Sequence, residues 1–225
     1  MTYWAQACQD QFVANLLNFK REGYYLDIGA GSPDSQNNTY FFDSELDWEG
    51  VCVEITDYTE DYKKLRSCRF INSDATKIDY KIIFDELKYP KRIDFLSVDI
   101  DEGSAEALKQ IPFEDYRFSI IIIEHDLYRI GSYLRDEERE ILKKQNYHLL
   151  FGDVLVPLSC GALPWQPFED WWVDLSVFNV DKLNNLVTKV GSDKLYSDHI
   201  INVLKTLPDV ISNAYTANNH LRPGL

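Results

Sequence analysis

The sequence has no surplus of basic residues. Its 225 residues include 23 Lys and Arg against 37 Asp and Glu, which gives a formal net charge of −14. Binding to a nucleic-acid backbone or to an anionic membrane surface depends on clustered positive charge. We therefore expect neither partner. The acidity by itself indicates solubility rather than any one activity.

Cysteine is scarce, and long apolar runs are missing. The cysteines form no Cys-x-x-Cys pair and have no histidine at metal-ligand spacing, which argues against structural zinc and favours a reduced, cytoplasmic protein. They are Cys8, Cys52, Cys68 and Cys160. The N-terminus lacks the basic and apolar regions of a signal peptide, and no run is long enough to span a bilayer.

The most informative stretch is residues 24–31, an apolar run with an acidic residue, Asp27, near its end. It continues into Gly29, Ala30 and Gly31. Glycine lets a backbone approach a ligand closely, and ligands of open α/β sheets bind beyond the carboxyl ends of the strands. Asp34 stands where a dinucleotide fingerprint has its third glycine. Two carboxylates would repel a pyrophosphate, but they suit the ammonium and sulfonium of S-adenosylmethionine. A glycine turn without a ligand is the alternative, since Gly-x-Gly alone is a weak signal.

Alternating strands and helices predict a three-layer, Rossmann-like α/β fold with a mostly parallel, seven-stranded sheet. The predicted strands are residues 24–28, 51–55, 69–72, 93–99 and 118–124, then a short antiparallel pair, 147–151 and 154–156, around Gly152 and Asp153. The predicted helices are residues 5–20, 38–46, 57–66, 104–110, 133–145 and 193–215. Residues 76–91 fit no single pattern.

We expect a single domain over residues 1–225. Residues 5–160 form its predicted cofactor-binding core, and residues 161–225 form an aromatic-rich segment and helical tail that is a candidate acceptor lid. The tryptophans between Trp165 and Trp172 could stack against a sugar. Packing inside an aromatic core is the alternative for these rings.

Polar residues at the strand ends build the predicted cofactor site. Glu54 lies about 20 residues past the glycines, where βαβ nucleotide folds place an acid that binds ribose; its alternative role is to favour the N-terminus of the next helix. The helix after Thr39 would offer its amides to the ligand carboxylate. Asp74 would face the adenine amino group or cap a turn. The remaining candidates are Gln9, Asn38, Ile55, Ala75 and Asp99, with solvated helix surface as the alternative for Gln9.

The ends of the fourth and fifth strands carry the catalytic candidates. His125 has the pKa of a general base near neutrality, and Asp99 or Asp101 could be the base itself or orient the imidazole. A structural histidine is the alternative. Oxygen ligands for a divalent ion such as Mg²⁺ are also present, although their spacing does not demand a metal. They are Asp99, Asp101, Glu124 and Asp126.

Several motifs, in this order, resemble those of the FkbM-type S-adenosylmethionine-dependent methyltransferases. They are Gln6-x-x-Gln9-Asp10-x-Phe12-Val13, Tyr25 to Ala30, Asn38-Thr39-Tyr40, Asp47 to Glu54, Ile93 to Asp99, and Phe168 to Trp172. The resemblance covers most of residues 5–172. It implies a class I methyltransferase fold, S-adenosylmethionine as cofactor, and O-methylation of a hydroxyl, often on a sugar, glycan, lipid or polyketide-derived molecule. The chain departs from the family pattern at two points. Asp101 stands where the family usually has a glutamate, and Ser32-Pro33 stands where the family often has a further Asp-Gly.

Two other functions stay open. An NAD-dependent oxidoreductase would want a glycine in place of Asp34, and a catalytic Lys or Tyr pair that we cannot locate. A non-catalytic cofactor-binding or interaction domain would bind the cofactor, or nothing, without turnover. The intact set of Asp27, Gly29, Glu54 and Asp99 argues against a degenerate site.

Overall fold

The computed structural model describes residues 1–156, 165–193, 195–207 and 210. Its strands are β1 (Tyr24–Ile28), β2 (Glu49–Glu54), β3 (Arg69–Asn72), β4 (Arg92–Val98), β5 (Arg117–Glu124), β6 (His148–Val156) and β7 (Gln166–Val173). They form one seven-stranded sheet in the order β3-β2-β1-β4-β5-β7-β6. β1 to β5 pair with one another in parallel, whereas β7 is antiparallel to both β5 and β6. The predicted three-layer, Rossmann-like fold with a mostly parallel, seven-stranded sheet is confirmed.

Helices cover both faces of this sheet. They are α1 (Gln9–Leu16), α2 (Tyr40–Glu45), α3 (Thr59–Leu65), α4 (Tyr80–Glu86), α5 (Ser104–Gln110), α6 (Leu127–Ile130), α7 (Tyr133–Lys144), α8 (Val180–Val190) and α9 (Ser197–Leu204). Successive side chains of a strand point to opposite faces. In β5, Ile120 and Ile122 join a cluster with α1, α2, α8 and α9, while Ile121 and Ile123 join a cluster with α4, α5 and α7. The core is therefore two apolar layers separated by the sheet.

The end of the sheet differs from the expectation. Residues 148–156 are one strand rather than a short pair, because Asp153 takes a positive φ of 55° and forms an irregularity in β6 instead of a turn. The antiparallel partner is β7, which contains Pro167 and was not predicted as a strand. Residues 166–173 thus belong to the sheet. The lid role of the rest of 161–225 stays a prediction.

Several helix boundaries also differ. α1 is shorter than the predicted 5–20, because Cys8 precedes it at a φ of 67° and Asn18 and Phe19 follow it at φ values of 51° and 52°. α4 occupies the unassigned stretch 76–91, with the Asp79 side chain capping its N-terminus. α8 was not predicted. α9 is the described part of the predicted tail, and residues 211–215 lie outside the described residues.

No helix in the described part of the chain combines the length and apolar character that a membrane crossing requires.

The turn after β1 is packed against the end of β4. The Asp99 amide donates a hydrogen bond to the Ile28 carbonyl at 2.8 Å. A Cβ atom on Gly29, whose φ is +79°, would lie 1.8 Å from the Asp99 carbonyl oxygen. Gly31 also has a positive φ, +55°, but a Cβ there would meet no heavy atom within 4 Å. Gly29 is therefore required by packing, whereas Gly31 faces open space.

This difference predicts unequal effects of two alanine substitutions. Gly29→Ala combines a backbone clash with a left-handed conformation, and we expect it to lower the free energy of unfolding by at least about 3 kcal/mol. Gly31→Ala carries only the conformational cost, about 1–2 kcal/mol. Urea unfolding of both variants measures the difference. Equal losses would contradict the close packing of Gly29 on Asp99.

Candidate active site

A cleft of about 170 Å³ opens at the carboxyl ends of β2, β3 and β4. Four residues predicted to bind the cofactor line it together: Glu54, Ile55, Asp74 and Ala75. The other lining residues are Val53, Ser73, Thr76, Ile100 and Gly103. Ile55 is 73% exposed at the edge of this cleft. The cleft has an apolar surface for a flat ring and carboxylates at its rim.

Glu54 connects this cleft to the glycine turn. Its Oε2 accepts a hydrogen bond from the Gly31 amide at 3.0 Å, and its Oε1 accepts one from the Thr56 amide at 2.8 Å. α3 begins only at Thr59, and the acids of its first turn are Glu60 and Asp61. The alternative role of Glu54 as an acid in that helix turn is therefore wrong. Its carboxylate lies between the turn and the cleft.

Asp74 also has local partners. Its Oδ1 accepts hydrogen bonds from the Thr76 amide and hydroxyl, and Lys77 pairs with its Oδ2 at 2.7 Å. These contacts, with Lys77 first, hold the pKa of the Asp74 carboxyl at about 2. The side chain therefore caps a 3₁₀ turn, residues 75–77, and lines the cleft at the same time.

Asp27 lies inside the sheet rather than at the cleft surface. It is 1% exposed, and its register partners on the neighbouring strands are Cys52 and Ser97. The Thr39 hydroxyl donates a hydrogen bond to its Oδ2 at 2.7 Å. Burial raises the pKa of the Asp27 carboxyl to about 6, against the opposing effects of Thr39 and nearby Arg66. This carboxyl can therefore hold a proton near neutrality.

Asn37, which the sequence did not single out, shapes the loop between the glycine turn and α2. Its side-chain amide donates to the Ala30 carbonyl at 2.7 Å, and its Oδ1 accepts from the Thr39 and Tyr40 amides. These contacts occupy the Thr39 amide and the Tyr40 amide, the first of the six-residue helix α2. Binding of the ligand carboxylate by the helix stays a prediction. The neighbouring Asn38 instead donates to the Ser97 hydroxyl at 3.0 Å.

Arg66 fixes the same loop from the end of α3. Its side chain is fully buried, and its Nε lies 2.7 Å from Asp43 Oδ2. Its remaining nitrogens donate to Pro33 O, Asn37 Oδ1, Tyr25 Oη and Thr39 Oγ1, at 2.9–3.1 Å. Each nitrogen of the guanidinium therefore bonds to a residue of this loop, of α2 or of β1. In the sequence, Arg66 follows two lysines and gives no such signal.

Two carboxyl groups meet at the ends of β4 and β5. The β4–β5 register pairs Val98 with Ile123, which brings the next residues, Asp99 and Glu124, side by side. Their side chains share a hydrogen bond. Burial first, and then the proximity of the other carboxyl, raises the pKa of Glu124 to about 12, and burial also raises the pKa of Asp99. The pair retains a proton at neutral pH, because two adjacent buried carboxylates repel each other.

The other two proposed metal ligands are bound by a guanidinium. Arg129 pairs with both Asp101 and Asp126, and its Nε lies 2.6 Å from Asp126 Oδ2. The Asp101 side chain is 71% exposed. The predicted set of Asp99, Asp101, Glu124 and Asp126 is therefore divided between a proton-sharing pair and an arginine. Such a set does not match a magnesium site, which takes ionised oxygens around one ion.

His125 is buried away from solvent. Its Nδ1 accepts a hydrogen bond from the Leu127 amide at 3.2 Å, and its Nε2 lies 3.4 Å from Asp170 and 3.5 Å from Asp153. Among the described residues, these three form the only group able to surround a metal ion. Arg139 already bridges the same two carboxylate oxygens at 2.8 and 2.9 Å. These contacts favour the structural alternative for His125.

Gln9 is buried, so solvated helix surface is the wrong interpretation of it, and its neighbour Asp10 is buried as well. Gln9 Nε2 donates to Glu169 Oε2 at 2.8 Å, and Trp171 Nε1 donates to Glu169 Oε1 at 2.7 Å. Burial raises the pKa of Glu169 to about 8 against these two donors. Glu169 also acts electrostatically on Asp99, so the sheet supplies a further carboxyl beside the predicted catalytic edge.

The tryptophans of β7 are core residues. Trp171 and Trp172 are 0% and 1% exposed, and Trp171 stacks on Phe12 with ring centroids 4.2 Å apart. Trp165 is half-buried against Tyr196. The expected stacking of Trp171 and Trp172 on a sugar is therefore wrong, because these rings fill the two layers beneath and above the sheet.

No protein-family model matches the chain, and no curated protein sequence matches it. Solved structures are similar in fold. Precorrin-6y C5,15-methyltransferase from Geobacter metallireducens is 16% identical, with a TM-score of 0.47, over 72% of this chain and 84% of that chain. The 1,6-didemethyltoxoflavin-N1-methyltransferase of Burkholderia thailandensis, solved with S-adenosylhomocysteine, is 13% identical, with a TM-score of 0.44, over 75% and 80% of the two chains.

Aeropyrum pernix fibrillarin, solved with natively bound S-adenosyl-L-methionine, is 14% identical, with a TM-score of 0.41, over 68% of this chain and 67% of that chain. Identities this low, with TM-scores below 0.5, identify neither a family nor a substrate for this protein.

The buried carboxyl of Asp27 predicts a pH-dependent stability. Its pKa is raised in the folded state, to about 6 from an ordinary 3.8. The neutral form therefore stabilises the fold fully below the unfolded pKa, and this contribution is lost as the pH rises through the folded pKa. Between about pH 4 and pH 7, we expect the wild type to lose about 3 kcal/mol relative to Asp27→Asn, which cannot ionise.

Urea unfolding at several pH values, without ligand, measures this difference. Asp34→Asn is the matched control, because it makes the same change at an exposed carboxyl of the same region. Parallel curves for wild type and Asp27→Asn would show that Asp27 is ionised in the folded protein.

Proposed function

We propose that this chain is an S-adenosylmethionine-dependent methyltransferase that methylates a hydroxyl group of a sugar or glycan. The observation that carries the proposal is the convergence of Glu54, Ile55, Asp74 and Ala75 on one cleft beside the open Gly31 turn. Ligands of open α/β sheets bind at this edge. The hydroxyl acceptor and its sugar class are supported by the motifs that resemble the FkbM-type enzymes.

The cleft suits the adenosine half of the cofactor. Ile55 and Ala75 offer apolar surface to a purine, and the Glu54 carboxylate lies where ribose hydroxyls would donate to it. Its two present hydrogen bonds, from Gly31 and Thr56, hold the carboxylate in place and leave further lone pairs free. The open space at Gly31 lets a ligand approach the backbone.

The charge of the site separates this cofactor from a dinucleotide. The Glu54 carboxylate contacts the Gly31 amide, and a pyrophosphate at this turn would be repelled by it. When bound, S-adenosylmethionine supplies a methyl group on a sulfonium sulfur and leaves as S-adenosylhomocysteine once a hydroxyl oxygen has attacked that carbon. The protein residues must then hold the acceptor and accept its proton.

Asp99 is the general base in this proposal, with Glu124 beside it. Glu124 keeps its proton and can donate it in a hydrogen bond to the Asp99 carboxylate, which stabilises the ionised form of Asp99. His125 is less suited, because its Nδ1 accepts from the Leu127 amide and its Nε2 faces Asp170. Asp101 is held at the rim by Arg129. No metal is needed in this scheme, since Arg129 and Arg139 already neutralise the other carboxylates.

Calorimetric titration of the full chain with S-adenosylhomocysteine, and separately with NAD, tests the cofactor. We expect a dissociation constant in the micromolar range for the first and no heat for the second. Glu54→Gln removes a charged acceptor, and we expect about 10–100-fold weaker binding. Glu49→Gln, at the exposed start of the same strand, is the control and should bind normally. Binding to NAD alone would favour an oxidoreductase, and binding to neither would refute the proposed function.

The chemistry is tested by incubating the protein with methyl-labelled S-adenosylmethionine and a panel of sugar and glycan acceptors. On the acceptor found, we expect Asp99→Asn to lower kcat by about 10²–10⁴-fold, because the general base is lost. Glu124→Gln keeps a hydrogen-bond donor for Asp99 and should keep most of the activity. An inactive His125→Asn variant with an unchanged melting temperature would instead identify His125 as the base. Label that reaches no acceptor while S-adenosylhomocysteine binds would indicate a non-catalytic domain.

A further inference from the structure

Two cysteines meet behind the candidate active site. Cys52 lies in β2 and is fully buried, while Cys68 lies just before β3 and is partly exposed. Their sulfur atoms are 3.5 Å apart. The β2–β3 register pairs Cys52 with Phe70, so Cys68 lies diagonally opposite on the same face of the sheet. We propose that Cys68 is an oxidation site for hydroperoxides and that Cys52 resolves it as a disulfide.

The surroundings give the two thiols different roles. The hydrogen bond with Cys52, together with the nearby Arg66 cation, lowers the pKa of Cys68. Burial raises the pKa of Cys52. The thiolate is the reactive form of cysteine, and sensor cysteines are accessible and lie next to a resolving thiol. Cys68 is therefore the nucleophile that attacks the hydroperoxide, and Cys52 is the resolving thiol that attacks the oxidised Cys68.

The reaction balances with hydrogen peroxide as the oxidant. The Cys68 thiolate attacks one oxygen, the O–O bond breaks, and the leaving hydroxide takes a proton to become water, which leaves a sulfenic acid on Cys68. Cys52 then attacks the Cys68 sulfur. The S–S bond forms, the S–O bond breaks, and the sulfenic oxygen leaves as water with the Cys52 proton. Two thiols and one peroxide give one disulfide and two waters.

Closing this disulfide must move the chain around Arg66. An S–S bond is about 2.05 Å long, and diagonal positions on neighbouring strands hold their Cα atoms farther apart than a relaxed disulfide allows. Residues 66–68 lie between α3 and β3, whereas Cys52 lies inside β2, so we expect the shift on the side of Cys68. A shift there displaces Arg66 from Asn37 and Asp43, the contacts that hold the loop before α2. Oxidation therefore weakens cofactor binding; this last step rests on the proposed function.

The oxidation itself is tested on the full chain carrying Cys8→Ser and Cys160→Ser, so that two thiols remain. After reduction and removal of the reductant, we expect hydrogen peroxide to remove both thiols together, with the mass of a disulfide, and dithiothreitol to restore them. With Cys52→Ala added, dimedone should trap a sulfenic acid on Cys68. With Cys68→Ser added instead, Cys52 should stay reduced. Thiols that survive peroxide, or a Cys52 that reacts equally well without Cys68, would overturn the oxidation site.

Cys8 provides an internal comparison in the wild-type chain. Burial raises its pKa to about 11, so its thiolate fraction near neutrality is only about 10⁻⁴. We expect peroxide to consume the pair well before Cys8. If Cys8 is oxidised first, the environment of Cys68 does not activate it.

The effect on the site is measured by titrating S-adenosylhomocysteine into the reduced and the oxidised two-thiol protein, with folding checked by circular dichroism. We expect at least about tenfold weaker binding after oxidation, reversed by dithiothreitol. Equal affinities would refute the coupling while leaving the disulfide intact. If the reduced protein does not bind S-adenosylhomocysteine, the proposed cofactor is refuted. The oxidation site is not affected by that result, because the mass measurement tests it independently.

Discussion

The buried guanidinium of Arg66 is the contact on which the candidate site depends. It joins the end of α3 to Asp43 of α2 and, through Asn37, to the loop that follows the glycine turn. A buried ion that loses one partner costs about 3–5 kcal/mol, since the other is left unpaired. Because the planar guanidinium has donors in a fixed arrangement, it sets the relative positions of its partners as well as their charge balance. Asn37, which accepts a hydrogen bond from Arg66, in turn donates one to the Ala30 carbonyl, so the position of the glycine turn also depends on Arg66.

The parts of the fold that were predictable from the sequence are those fixed by short-range patterns. The apolar run of β1, the glycines after it and the acid at the end of β2 each depend on a few consecutive residues. β7 could not be predicted in the same way. Its partner β5 is distant in sequence, and Pro167 argues against a central strand. Arg66 was missed because an arginine after two lysines is typical of a solvated helix end.

The cleft was also more predictable than the catalytic edge. Glu54 is the last residue of β2 and Asp74 lies two residues after β3, so the pairing of these neighbouring strands brings them together. The role of a titratable group depends instead on what packs around it. Burial raises the pKa values of Asp27, Asp99 and Glu124. Asp170 is also buried, but its pKa stays at about 2, because Arg139 and His125 face it. Sequence spacing contains none of this information.

The antiparallel strand explains how the catalytic edge gathers so many carboxyl groups. Because β7 runs against β5, the first half of β7 lies beside the last residues of β5, and Glu169 is the register partner of Glu124. If this strand were parallel to β5, its carboxyl end would lie beside the end of β5, and a long crossover connection would be needed to reach it. The position of Pro167 follows from the same geometry, since it lies near the start of β7, where the ladder with β5 has ended. The reversal thus lets one strand supply buried tryptophans to the core and, directly before them, buried acidic groups beside the end of β5.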